Sequence, residues 1–207
     1  MQINVGIYIY NEAEVLDFSG PFEVFTTAAR VRSRQQPNSP KLFEVFLIAE
    51  QPGLVTARAD FKVEPHFTIQ NHPDVDVLIV PGGVHIHELE KPSVIAWLKF
   101  LSQTTKLTAS VCTGSFLLAK ANLLEGKACT THWEDIPDLR AMFPSLDVRE
   151  EVPWVDNGHI VTSAGISAGI EMALHLVARL AGKDLALKTA RQMQYTWSNA
   201  HLSKEVQ

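Results

Sequence analysis

Of the two cysteines in the 207-residue chain, one stands where chemistry can be built around it. Cys112 ends the apolar run Leu107–Val111 and is followed by Thr113-Gly114-Ser115, then by Phe116, Leu117, Leu118 and Ala119. A strand that passes directly into a helix through so tight a turn has the layout of a nucleophile elbow, which lifts the side chain clear of the sheet. Small Gly114 and Ser115 let the helix start close behind, and its positive end is expected to favour thiolate over thiol. The alternative here is a buried structural cysteine, since free Cys is among the most buried residue types. Cys129 lies inside a short apolar strand with no helix start beside it, so it reads as core.

Three further features could complete a site. Pro81-Gly82-Gly83 follows an apolar strand, where backbone N–H groups free of side chains can turn toward developing negative charge. A turn that merely needs positive φ is the alternative reading. Asp17 is either a solvated or helix-capping carboxylate or, beside a thiolate, an acid kept protonated by the neighbouring charge and able to move a proton near neutral pH. Among eight histidines, most read as surface residues. His132, next to Trp133 at a strand end, is the pocket candidate, with a structural or merely lining role as its alternative.

The elements that must position these residues alternate along the chain. Strands are expected at Met1–Tyr10, Phe43–Ala49, Asp76–Val80, Leu107–Val111 and Lys127–Thr131, with strand pairs near Val148–Val155 and His159–Ser163 and a hairpin or edge over Gly53–Glu64. Helices are expected from Ser19 as cap and Pro21 in the first turn to about Val31, then over Pro92–Thr104, from Phe116, over Ile136–Phe143, Ile166–Ala181 and Ala186–Trp197. This alternation predicts one α/β domain over residues 1–207, a three-layer sandwich with a mostly parallel central sheet. In such a sheet ligands bind beyond the carboxyl ends of the strands, where Asp17, Gly82-Gly83, Cys112 and His132-Trp133 all fall.

Composition narrows the classes of partner. Eighteen Lys and Arg against 23 Asp and Glu leave a net charge of −5, which argues against a strong footprint on nucleic acid or anionic membranes. No apolar run approaches the roughly 20 residues of a spanning helix. The N-terminus shows no basic region or small-residue cleavage site, so a cytoplasmic protein is expected. The cysteines form no CxxC and no closely spaced His/Cys pairs, so neither a disulfide framework nor a metal site is suggested.

Ser110-Val-Cys112-Thr-Gly-Ser115, Leu117–Gly126 and Thr130-Thr-His-Trp133 together resemble the ThiJ/PfpI superfamily, within the class I glutamine amidotransferase-like, flavodoxin-like fold. Leu16–Pro21, Val80-Pro-Gly-Gly83 and Val161–Glu171 extend the resemblance over essentially the whole chain. Two branches share these motifs: the isonitrile (isocyanide) hydratases, and the sensor domain of AraC-type transcription regulators. The chain stops at Gln207, soon after the last expected helix, which with the negative charge predicts against a free-standing regulator. A proteolytic branch places His directly after its nucleophile, where this chain has Thr113. A redox-protective branch uses Glu near the first strand, where this chain has Asp17, as the hydratases do.

The hydratase resemblance implies Cys112 as the nucleophile toward an isocyanide carbon and Asp17 as general acid and base. It implies that Thr113 offers a hydroxyl to Asp17 and a backbone N–H to the reacting centre, and that Gly83 and Val84 offer further donors. His132, Trp133, Gly165 and Ile166 are expected at the substrate, Ala164–Gly169 passing near the cysteine. The resemblance further implies a small-molecule substrate, no metal, no organic cofactor and a homodimer. The competing expectation is a non-catalytic ligand- or redox-sensing domain; hydrolysis of another small amide or aldehyde-derived adduct is a third, because fold and nucleophile do not determine substrate.

Overall fold

Runs of β-branched and aliphatic residues become strands, and the polar-apolar stripes between them become helices. The structure is a computed structural model that describes residues 2–197; the ending at Gln207 lies outside the described residues. In chain order the elements are β1 (Ile3–Tyr8), α1 (Val15–Gln35), β2 (Phe43–Ala49), β3 (Val55–Ala57), β4 (Phe61–Val63), β5 (Phe67–Thr68), β6 (Val77–Val80), α2 (Ile86–Leu89), α3 (Pro92–Leu101), β7 (Leu107–Val111) and α4 (Gly114–Lys120). They continue with β8 (Ala128–Cys129), α5 (Ile136–Met142), β9 (Asp147–Val148), β10 (Trp154–Asp156), β11 (Ile160–Ser163), α6 (Ala168–Ala181) and α7 (Lys183–Gln192).

The central sheet has the order β10-β11-β7-β6-β1-β2-β5. Every pairing in it is parallel except that of β10 with β11. Central β6 and β7 are buried along their full length, as expected for strands covered on both faces. The crossovers from β1 to β2 and from β6 to β7 run in opposite directions across the sheet, so right-handed connections place α1 and α3 on opposite faces. On one face α1 packs against α6 and α7; on the other, α4 packs against α2 and α3. The strand order therefore reverses between β1 and β6, and a crevice opens at their carboxyl ends. There the segment after β1 meets the turn after β6 through an antiparallel bridge, Ala13 to Gly83.

The boundaries that differ from expectation include three helix starts. Helix α1 starts at Val15, so Ser19 and Pro21 lie inside it rather than at its start. Pro21 has no N–H for the carbonyl four residues back, but burial of Asp17, Phe18, Gly20, Pro21, Val24 and Phe25 along one face carries the helix through. Helix α6 starts at Ala168, because Ile166 adopts φ +55° and cannot propagate the helix. The last helix starts at Lys183, directly after Gly182.

The junction of β7 with α4 depends on Gly114, where an added Cβ would lie 2.1 Å from the Val80 carbonyl oxygen. Backbone on a central strand cannot swing aside. Gly114→Ala is therefore expected to cost about 1–3 kcal/mol, the range of overpacking substitutions, seen as a lowered midpoint in urea unfolding; an unchanged midpoint would show that the turn can relax.

Candidate active site

Cys112 holds φ +56°, a left-handed conformation that costs a non-glycine residue about 1 kcal/mol or more and persists only where the surroundings over-determine it. Here they do. Its N–H is shared between the Ser163 and Ala164 carbonyls, each at 3.2 Å. Its carbonyl accepts the Thr131 hydroxyl at 2.9 Å and the Ser115 hydroxyl at 3.2 Å. The end of β11 and the segment after β8 thus clamp the elbow from two sides, and the residue is left 8% exposed.

Asp17 projects from the first turn of α1 and is wholly buried. Its Oδ2 accepts the Gly82 N–H at 2.9 Å. Its Oδ1 has no hydrogen-bond partner, although the Cys112 thiol and the Ile166 N–H lie close enough to favour the carboxylate. Burial dominates nevertheless, and with the charge of Glu14 it pushes the carboxyl up to about 7. The thiol moves in the same direction. Burial first, then the charge of Asp17, hold Cys112 well above the ordinary thiol range, and the Thr113 N–H only partly offsets them. The thiolate expected from the helix start is thus corrected: the positive end of a helix contributes about 0.3–1 kcal/mol, and α4 has only seven residues. Desolvation outweighs it.

The donors expected around the nucleophile are distributed differently from the expectation. The Gly83 N–H donates to Thr113 Oγ1 at 3.0 Å, and that hydroxyl also lies 3.0 Å from the Gly83 carbonyl. The Thr113 hydroxyl therefore serves the Gly83 turn and not Asp17. The Val84 N–H donates to the Glu12 carbonyl at 3.1 Å. Gly83 and Val84 are thus engaged in holding the turn rather than free to meet a substrate. The N–H groups that face the Cys112–Asp17 pair are those of Thr113, toward the sulfur, and Gly82 and Ile166, toward the carboxyl.

His132, Trp133, Gly165 and Ile166 line a neighbouring cleft of about 640 Å³, whose wall does not include Cys112 or Asp17. Its lining includes the segments that clamp the elbow, Thr130–Thr131 and Ala164–Ile166. His132 Nδ1 lies 3.3 Å from Asp135 Oδ2, and the ring lies so close to Gly165 that a Cβ there would stand 2.1 Å from its Cδ2. Trp133 is 74% exposed. The predicted residues therefore divide into a polar cluster of Asp17, Gly83, Cys112 and Thr113 and an open cleft beside it, with Ile166 belonging to both.

Two histidines that the sequence did not single out are buried. His85 stacks on Phe116 with ring centroids 4.4 Å apart, has Nδ1 3.4 Å from the Gly83 carbonyl, and is kept neutral-leaning by burial. His175 is paired with Asp156 at 2.6 Å and stacked on Trp154. The second was legible: His175 falls between Met172 and Leu176 on the core face of α6. For His85 the signal was its position two residues after Gly83. Cys129 is buried, as read.

A strand-to-helix cysteine at positive φ, facing a buried acid across the switch point of a parallel sheet, accompanies a match of residues 4–179 to the model of the DJ-1/PfpI family. The chain belongs to the DJ-1/PfpI family. It is 31% identical to isonitrile hydratase from Pseudomonas putida over 94% of this chain and 79% of that protein. It is 28% identical to the HTH-type transcriptional regulator GbdR of Pseudomonas aeruginosa over 80% of this chain, which spans 45% of the regulator's length. Among solved structures, a ThiJ/PfpI family protein from Pseudomonas syringae superimposes with a TM-score of 0.82 at 25% identity, covering 96% of this chain and 77% of the other. The DJ-1/PfpI assignment thus agrees with the fold and with the motif order. Among the described residues no helix is long and apolar enough to cross a membrane.

Proposed function

We propose that this DJ-1/PfpI domain is a cysteine-dependent enzyme that hydrates a small isocyanide to an N-substituted formamide, with Cys112 as nucleophile and Asp17 as proton carrier. The observation that carries the reading is the buried pair itself, a protonated thiol beside a carboxyl poised at about 7. Near neutral pH a substantial fraction of such pairs is thiol plus carboxylate. As sulfur bonds to the isocyanide carbon, the carboxylate takes the S–H proton and hands it to that carbon, leaving the thioimidate R–N=CH–S–Cys112. Water then adds across C=N, oxygen to carbon and hydrogen to nitrogen. Collapse of R–NH–CH(OH)–S–Cys112 expels the sulfur, which regains a proton, and releases R–NH–CHO. No thiolate has to exist beforehand, which suits a site where burial opposes one. The N–H groups of Thr113 and Ile166 are the donors nearest the charge that develops.

The reading carries with it a single domain over the chain, a small-molecule substrate, no cofactor or metal, a homodimer and a cytoplasmic location. Similarity to isonitrile hydratase supports the substrate class. Similarity to GbdR favours the second reading, a ligand-sensing domain without turnover. The redox-sensing form of that reading is disfavoured by the burial of Cys112 and its raised pKa, since peroxide oxidises thiolates. The discriminating measurement is formamide formation from methyl, cyclohexyl and phenyl isocyanides followed by infrared loss of the isocyanide band. Saturable turnover of at least one is expected; binding of all three without product would leave the sensor reading standing.

A further inference from the structure

The cleft beside Cys112 has a lining that says what it accepts. Trp133, Ile136, Val152 and Ile166 give it apolar walls, and Glu150 and Glu151 stand among its lining residues. No Lys or Arg lines it among the described residues. Arg140, which pairs with Glu150, is already spent there and on the Val148 carbonyl at 2.8 Å. Glu151 is exposed and has no ion pair among the described residues. The neighbouring His132 is flanked by Asp135 at 3.3 Å and Glu134 at 3.9 Å, so the acidic character continues along that edge. An anionic group entering the cleft would meet unpaired negative charge, whereas a cation would meet it favourably and could rest on the exposed face of Trp133.

We infer that this cleft is a subsite for an apolar group bearing a positive charge, of the alkylammonium class, and that it discriminates against carboxylates. The inference rests on the proposed hydration only for which end of a substrate reacts: the isocyanide at Cys112, the alkylammonium tail in the cleft. The volume of about 640 Å³ accommodates such a tail. Opposite charges about 4 Å apart near water attract, and a cation over an exposed ring adds to that attraction. The discrimination is therefore of the order of tenfold and depends on salt.

The test uses the full chain and three probes without an isocyanide group, namely pentyltrimethylammonium, 1-hexanol and hexanoate, titrated by ligand-observed NMR. Pentyltrimethylammonium is expected to bind at least about fivefold more tightly than hexanoate at low salt, with the ratio shrinking in about 0.5 M salt. Glu151→Gln is expected to lower affinity for the cation about threefold or more while leaving that for hexanol unchanged, and Trp133→Leu to weaken the cation more than hexanoate. Equal binding of cation and carboxylate, or a ratio that Glu151→Gln leaves unaltered, overturns the subsite. Because these probes do not react, a protein inert toward isocyanides can still show this order, and an active hydratase can fail to show it.

Discussion

Cys112→Ala is expected to reduce formamide production by about 10⁴-fold or more, because removal of a covalent nucleophile removes the pathway itself and not one contribution to it. The fold is expected to survive. The backbone of Cys112 is held by the Ser163 and Ala164 carbonyls and by the Thr131 and Ser115 hydroxyls, bonds made through its N–H and carbonyl and therefore kept by alanine. Alanine tolerates φ +56° no worse than cysteine does, since both carry one Cβ. Loss of one buried sulfur from a closely packed site costs about 1 kcal/mol, so a melting curve within a few degrees of the native protein is the necessary control. Turnover that persists in a folded Cys112→Ala protein would remove Cys112 from the reaction. Cys112→Ser sharpens the result. A hydroxyl in the same pocket keeps its proton still more firmly than the thiol, and Asp17 at about 7 is a far weaker base than an alkoxide, so serine is also expected to be inactive.

Asp17→Asn has the second largest expected effect, and it acts in opposite directions on rate and stability. Loss of the proton carrier is expected to lower kcat/KM by about 10²–10⁴-fold. In the native enzyme kcat/KM should rise with pH through about 7, as Asp17 becomes the carboxylate that accepts the thiol proton. Asp17→Asn should lack that limb, and a variant that keeps it would assign the base elsewhere. The stability argument follows from the same burial. The folded carboxyl holds its proton up to about 7, whereas the group's ordinary value is 3.8. Between those values the folded state binds more protons than the unfolded one, so stability from this group is present below about pH 4 and is lost as pH rises through 7. Asparagine never ionises and its amide oxygen can still accept the Gly82 N–H. Asp17→Asn is therefore expected to melt higher than the native protein at pH 8, with the gap closing toward pH 4. A variant less stable at every pH would mean that the carboxylate is a structural requirement and not a functional cost.

Both expectations turn on quantities that no motif carries. The alternation of apolar strands with amphipathic helices was sufficient for the α/β sandwich, because hydrophobic period is a local property. Strands Phe43–Ala49 and Leu107–Val111 coincide with their expected bounds. Where local signals misled, tertiary burial had overridden them. Ser19 and Pro21 resemble a helix start, yet one buried face carries α1 through both. Ile166 fits the apolar stripe of α6, but its positive φ excludes it from that helix. The order of motifs was likewise enough to place the chain with its family.

What the sequence by itself determined, then, is the architecture, the family and the identity of the cysteine at the elbow. Only the tertiary structure decided the state of that cysteine and the use of the groups around it. The helix start pointed to a thiolate; burial, with the charge of Asp17, keeps it a thiol. Thr113, Gly83 and Val84 were expected as backbone and hydroxyl donors, but Gly83 and Thr113 hydrogen-bond each other and Val84 bonds Glu12. His132 and Trp133 fell to a separate cleft, although His132 lies at the end of a segment whose preceding threonine bonds the Cys112 carbonyl. The physical reason is common to all of these. A strand or helix follows from the residues along the chain, whereas desolvation and the pairing of donors with acceptors follow from what the fold brings within a few ångströms, and those neighbours come from distant parts of the sequence.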